Sequence, residues 1–190
     1  MRPIWESSRL IAREMTLADL AFVAAMLADP EVMRFYPRCY TRDEASAWID
    51  RQRVSYRSVG HGRWLIEERA GGQPVGQVGL IRATVEGVEE TEVAYMIDAS
   101  RWRRGYAAEA ASASRDFAFG ALGLTRVVSL VRPENIASRA VANRIGMRPG
   151  RLVLHAGLEH ILYELERDRR EDAEPGSRPV NRAASEAPVG

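Results

Sequence analysis

Trp102-Arg103-Arg104-Gly105-Tyr106-Ala107-Ala108-Glu109 stands between a strand-like run, Glu92-Val-Ala-Tyr-Met-Ile97, and a long helix candidate. In that candidate Ala108, Ala111, Ser112, Arg115 and Phe119 recur at helical spacing, and Gly120 and Gly123 mark its end. A helix start carries unpaired N–H groups and a partial positive charge, so it suits a phosphate. Gly105 lets the backbone approach a ligand closely, Ala107 keeps the first turn uncrowded, and Arg103 and Arg104 can add charge-assisted contacts. The same residues also fit an ordinary strand-to-helix turn with solvated arginines.

C-terminal to this loop, Val127-Val-Ser-Leu-Val131 reads as a buried strand, and Asn135 to Ile145 as a second helix stopped at Gly146. Asn135 is a strong N-cap residue. Ser138, three positions on, faces the same side, so an amide and a hydroxyl could reach one ligand. Two further strands are expected, Arg151 to His155 and His160 to Glu166. On the N-terminal side, residues 8–14 suit a first strand. Thr16-Leu-Ala-Asp19 then caps a helix over about 17–28 that closes at Asp29-Pro30. Glu31 to Tyr40 reads as a short helix plus loop, and Thr41-Arg-Asp-Glu44 is a capping box opening a helix to about residue 57. Arg63-Trp-Leu-Ile-Glu-Glu, Val75 to Ile81 and Glu92 to Ile97 then make an antiparallel meander, its first turn Ala70-Gly-Gly-Gln-Pro. The order predicts a single-domain mixed α/β sheet flanked by helices over 1–166. Residues 167–190 hold three prolines, five arginines and five acids with almost no large apolar side chains, a composition that predicts a disordered tail.

The 190-residue chain carries a net charge of only +1, so the whole-chain balance argues for neither nucleic acid nor an anionic membrane as partner. All 27 basic residues are arginine, which removes Schiff-base lysine chemistry and a P-loop lysine. Cys39 is the one cysteine, excluding an intrachain disulfide framework and a cysteine-cluster zinc site, and His61, His155 and His160 lack the paired spacing of a metal motif. There is no 18-residue apolar run and no signal peptide in Met1-Arg-Pro-Ile-Trp-Glu6, so a cytoplasmic protein is expected.

Four segments together resemble the GCN5-related N-acetyltransferases, in particular the RimJ/RimL-like branch. They are Arg9-Leu-Ile-Ala-Arg-Glu14 with Asp19, Thr91-Glu-Val-Ala-Tyr95, the loop from Trp102 to Ala110, and Asn135-Ile-Ala-Ser138 ending in Arg144-Ile-Gly-Met147. The likeness spans residues 8 to 165 and rests on the joint order and spacing of motifs that are each weak alone. It implies a twisted sheet splayed between the third meander strand and the strand at 127–131, with acetyl-CoA in the gap. It also implies that the amides of Arg103, Arg104, Gly105, Tyr106 and Ala107 hold the pyrophosphate. Main-chain groups of Met96 and Ile97 would pair with the pantetheine arm, and Asn135 would bind the cofactor from the other side. No metal is implied.

The implied reaction is direct attack of a primary amine, on a small molecule or a protein N-terminus, on the thioester. An amine is protonated in water and so needs a base, and the carbonyl oxygen needs a hydrogen-bond donor as charge develops. Glu92 matches the family's base, although Glu86, Glu89 and Glu90 beside it also read as a solvated acidic turn. Ser138 is the candidate proton donor to the leaving thiolate, against a plain first-turn serine. Many relatives place a tyrosine where this chain has Ala142. Tyr163 reads as core or rim, and Met33, Phe35 and Tyr36 roof the acceptor site by the same likeness. The rival is a non-catalytic acyl-CoA-binding module of the same fold. A monomer and a homodimer are both compatible with the sequence.

Overall fold

At Thr41 the hydroxyl accepts from the Glu44 amide at 3.3 Å while the Glu44 carboxylate accepts from the Thr41 amide at 2.8 Å. This reciprocal cap starts α3 (Arg42–Val59), which ends at Gly60 in the left-handed region, φ +79°. The computed structural model describes residues 2–167; Arg167 apart, the tail expected from the sequence lies outside them. Before α3 come β1 (Trp5–Glu6), β2 (Leu10–Arg13), α1 (Leu20–Ala28) and α2 (Pro30–Met33). After it come β3 (Arg63–Glu68), β4 (Pro74–Val85), β5 (Val88–Ile97), α4 (Tyr106–Gly120), β6 (Arg126–Val131), α5 (Ile136–Arg144), β7 (Arg148–His155) and β8 (Leu158–Glu166).

The expected order therefore stands, with differences of extent, among them the starts of β7 at Arg148 and β8 at Leu158. Strand β1, only two residues long, has too little pattern to be read from sequence. The meander's second hairpin is longer than expected, because Glu86 (φ +49°) and Gly87 (φ +84°) make a two-residue turn with both positions left-handed. That turn matches the twist of its flanking strands and lets them pair up to Val85–Val88. The polar run at Glu89 and Glu90, which reads as loop, is paired strand, with Glu89 exposed and Glu90 partly buried.

The strands form one sheet in the order β1-β2-β3-β4-β5-β6-β8-β7. Neighbours are antiparallel except β5 and β6, which run parallel and pair only at Glu92–Val128. On one face α4 packs through Tyr106, Ala110, Ala111 and Ala118, and the three alanines let it sit close to Trp64, Val78 and Val93. On the other face α1, α2 and α3 bury Val23, Leu27, Met33 and Ile49 against Leu65 and Met96. Both faces of the central strands are thus covered, which explains their near-continuous apolar runs.

Candidate active site

The parallel pair ends almost as soon as it begins. Val93 offers its carbonyl to the Ser129 hydroxyl at 2.6 Å. The Leu130 amide, which would continue the ladder, is instead directed to the Glu92 carboxylate. A side chain has replaced the partner strand, and beyond this point β5 and β6 have no further registered pairs. The helices α4 and α5 both begin past the carboxyl ends of these two strands, at a topological switch point.

Glu92 sits half-buried at the closed end of the splay. Desolvation pushes its carboxyl above the usual carboxylate range; the Arg63 charge, the Leu130 amide and His155 act against this. Ionised in such a place, it is a stronger base than a free glutamate. Asp98 N–H donates to the Val75 carbonyl at 3.0 Å, and ladder alternation then turns the main-chain groups of Met96 toward β4. Those of Tyr95 and Ile97 face the splay. Among the sequence candidates it is therefore Ile97, joined by Tyr95 rather than Met96, that has main-chain groups on this side. The Ile97 carbonyl is taken by the Trp102 indole N–H at 2.8 Å, which pins the start of the connecting loop.

The loop itself has Arg103 at φ +63° and Gly105 at φ +80°, and no side chain caps α4. Successive amides in a turn of this kind make a concavity for an anion. Arg103, Arg104 and Gly105 are exposed, while Tyr106 is buried, its hydroxyl donating to Glu68 and its ring lying 4.8 Å under the Arg9 guanidinium. Arg9 also holds the Arg104 carbonyl at 2.9 Å, and Glu109 accepts from Ser7, Ser8 and the Arg9 amide. The loop is thereby clamped to the start of β2.

At α5 the Asn135 side-chain oxygen accepts from the Ser138 amide at 3.0 Å, leaving only the NH₂ of that side chain for other partners. The Tyr95 hydroxyl crosses from β5 to donate to the Ser138 carbonyl at 2.8 Å, beside the Ser138 hydroxyl. Burial pushes the Tyr95 hydroxyl well above the usual tyrosine range, so it stays protonated. Ala142 and Tyr163 are buried in the core.

The profile of the acetyltransferase (GNAT) domain matches residues 9–148, most of the chain. This protein belongs to the GNAT acetyltransferases. As a GNAT protein it is an acetyl-CoA-dependent acyltransferase. It is similar to the uncharacterized N-acetyltransferase YoaA of Bacillus subtilis (strain 168), with 31% identity over 150 residues covering 78% of this chain and 84% of YoaA. Its fold matches an acetyltransferase of Agrobacterium tumefaciens str. C58 with a TM-score of 0.75 and 30% identity, over 86% of this chain and 94% of that one. Mycobacterium smegmatis RimJ in complex with CoA-disulfide shares the fold at a TM-score of 0.70 and 22% identity, over 92% and 93% of the two chains.

Two residues of the site carry no readable signal in the sequence. Tyr95 lies three residues from Glu92 in a strand pattern that explains it as packing. Arg63 lies 29 positions from Glu92, yet its charge reaches both that carboxyl and the Tyr36 hydroxyl. His155, a histidine without a partner in the sequence, also reaches Glu92 and stacks edge-on with His160, ring centroids 5.9 Å apart. No helix among the described residues is long and apolar enough to cross a membrane.

Proposed function

We propose that this GNAT protein transfers an acetyl group from acetyl-CoA to a primary amine by direct attack, in the manner of the RimJ/RimL-like branch. The observation that carries the reading is the position of Glu92 at the single residue pair where β5 and β6 begin to separate, with α4 starting uncapped past the end of β5. The α4 amides, Gly105 to Ala107 with those of Arg103 and Arg104, hold the pyrophosphate; Ile97 and Tyr95 offer main-chain groups to the pantetheine arm; and the Asn135 NH₂ reaches the cofactor from α5. Acetyl-CoA supplies the thioester carbonyl and a thiolate leaving group.

Glu92 removes a proton from the incoming ammonium, directly or through one water, and the burial that raises its pKa makes it a stronger base than a free glutamate. The amine nitrogen then bonds to the acyl carbon and the carbon–sulfur bond breaks. The second proton lost by that nitrogen reaches the departing sulfur through the Ser138 hydroxyl, which gives one proton and takes one back, with the protonated Tyr95 hydroxyl beside it. The acceptor enters from the face of α1, α2 and α3, under Tyr36.

The test is thiol release from acetyl-CoA with a panel of amines, using Glu92→Gln as the variant. Losing a general base lowers kcat by about 100-fold. Since a carboxylate works only when ionised, the wild-type rate falls as pH drops through the raised Glu92 pKa, and this acidic limb disappears in the variant. CoA affinity is kept. An unchanged pH profile removes Glu92 from the reaction, and no turnover on any amine alongside tight CoA binding overturns the transferase reading.

A further inference from the structure

Arg63 is 7% exposed, and its Nη1 atom is buried with no hydrogen-bond partner. Its guanidinium carbon lies 5.4 Å from the Trp48 ring centroid. Trp48 is itself fixed, donating from its indole nitrogen to Gln77 at 3.0 Å, and Gln77 in turn contacts the Met96 sulfur. A guanidinium removed from water keeps its charge, so it needs an acceptor to offset its lost hydration.

The floor beneath it is open by design of the register. Arg63 pairs with Gly79, and Gly79 with Ala94, so all three point to the same face and only Arg63 has a long side chain. A Cβ at Gly79 would lie 2.0 Å from the Gly62 carbonyl oxygen, so no larger residue can close this row. Glu92 lies two residues along β5 from Ala94, on the same face. The two opposite charges influence one another, yet among the described residues neither forms an ion pair. Had Arg63 served only to neutralise Glu92, direct pairing across this bare floor would have relieved both. Instead the Tyr36 hydroxyl interacts with part of the guanidinium, the Arg63 Nη1 donor stays without a partner, and Glu92 lies on the same face of the sheet.

We propose that the Arg63 guanidinium anchors a carboxylate on the acceptor, so that the acceptor is a free amino acid held with its ammonium toward Glu92 and its carboxylate toward Arg63. This rests on the reading of the cleft as an amine-acceptor site. The two protein charges are complementary to a zwitterion in sign and order, and the planar guanidinium fork matches a carboxylate at two points. A dianionic phosphate is disfavoured beside the Glu92 carboxylate.

The experiment measures binding and turnover in parallel. CoA-loaded protein is titrated calorimetrically with the protein amino acids and with their carboxamides, and the same compounds, with short peptides, are assayed for thiol release. Free amino acids are expected to bind and react at least about tenfold better than their carboxamides. Arg63→Gln brings that ratio to near one, chiefly through KM, with CoA affinity kept; Arg63→Lys keeps part of the preference. Equal use of carboxamides or peptides by the wild type, or an unchanged ratio in Arg63→Gln, overturns the anchor while leaving amine transfer intact. If nothing turns over but amino acids still bind CoA-loaded protein in preference to carboxamides, the anchor stands and the transfer reading falls. Should Arg63→Gln fail to fold, the wild-type ratio and Arg63→Lys decide.

Discussion

Helices α4 and α5 begin on the same side of the sheet, past the ends of the one parallel strand pair, yet their first turns are completed in opposite ways. At α5 the Asn135 side chain takes the Ser138 amide, and the Tyr95 hydroxyl takes the Ser138 carbonyl. At α4 the leading residue is a left-handed glycine, and no side chain caps the turn. A helix whose third amide is held by its own cap has one backbone donor fewer to offer a ligand. One whose amides stay open presents backbone donors together with the positive end of its dipole. The contrast divides the labour of the cleft: α4 is suited to bind charge and α5 to present hydroxyl groups.

The contrast breaks most visibly at Gly105. A β-branched residue there must adopt φ near +80°, and its side chain covers the amides. Gly105→Val is expected to raise the Kd for CoA by on the order of 100-fold, read by calorimetry. Wild-type affinity in that variant would remove α4 as the anion site. Next in size is Tyr95→Phe, which deletes the hydroxyl at α5 but no α4 donor. We expect kcat to fall by about tenfold with the Kd for CoA nearly unchanged. A matching loss in CoA binding would instead make Tyr95 a tether between β5 and α5.

Asn135→Ala sharpens the comparison at the level of stability. Loss of an N-cap costs about 1 kcal/mol, or about 3 °C in Tm for a chain of this size. Asn135→Asp restores the cap without the amide NH₂. If that variant regains Tm but still binds CoA a few-fold more weakly, the NH₂ is a cofactor contact. The smallest effect is expected from the clamp under α4. Burial alone would raise the Glu109 carboxyl, but hydrogen bonds from Ser7, Arg9 and Ser8 outweigh it and hold the pKa below the usual range. A depressed carboxyl stabilises the fold above its unfolded pKa and stops doing so as pH falls through the folded value. Tm of the wild type should therefore drop more steeply than that of Glu109→Gln only once pH falls below the ordinary glutamate value of 4.5. Parallel curves would show that the clamp contributes no stability.

Local chemistry made much of this legible in advance. The Thr41 capping box, the Gly105 helix start and the Gly146 stop each depend on a few consecutive residues. The structure has them at the expected places. The β4–β5 hairpin was legible only in part, because a two-residue turn at Glu86–Gly87 looks in sequence like part of a longer acidic loop. Glu92, Gly105, Asn135 and Ser138 stand out together in the sequence through the order and spacing of the motifs that hold them. The ladder phase that turns Met96 away from the splay was not accessible, since it depends on which carbonyl receives Asp98 N–H.

The loop at 102–109 illustrates the division. The sequence alone determined that a glycine would open a long helix after a strand, and that the chain would alternate strands and helices through its second half. Tertiary structure decided that β5 and β6 separate after one residue pair, so that the helix faces a cleft rather than a closed sheet. It also decided that Arg63, from β3, shares an open floor with Glu92. Caps and turns are settled by neighbours in the chain, whereas the burial of one charge near another depends on strand order and register, which no local segment encodes.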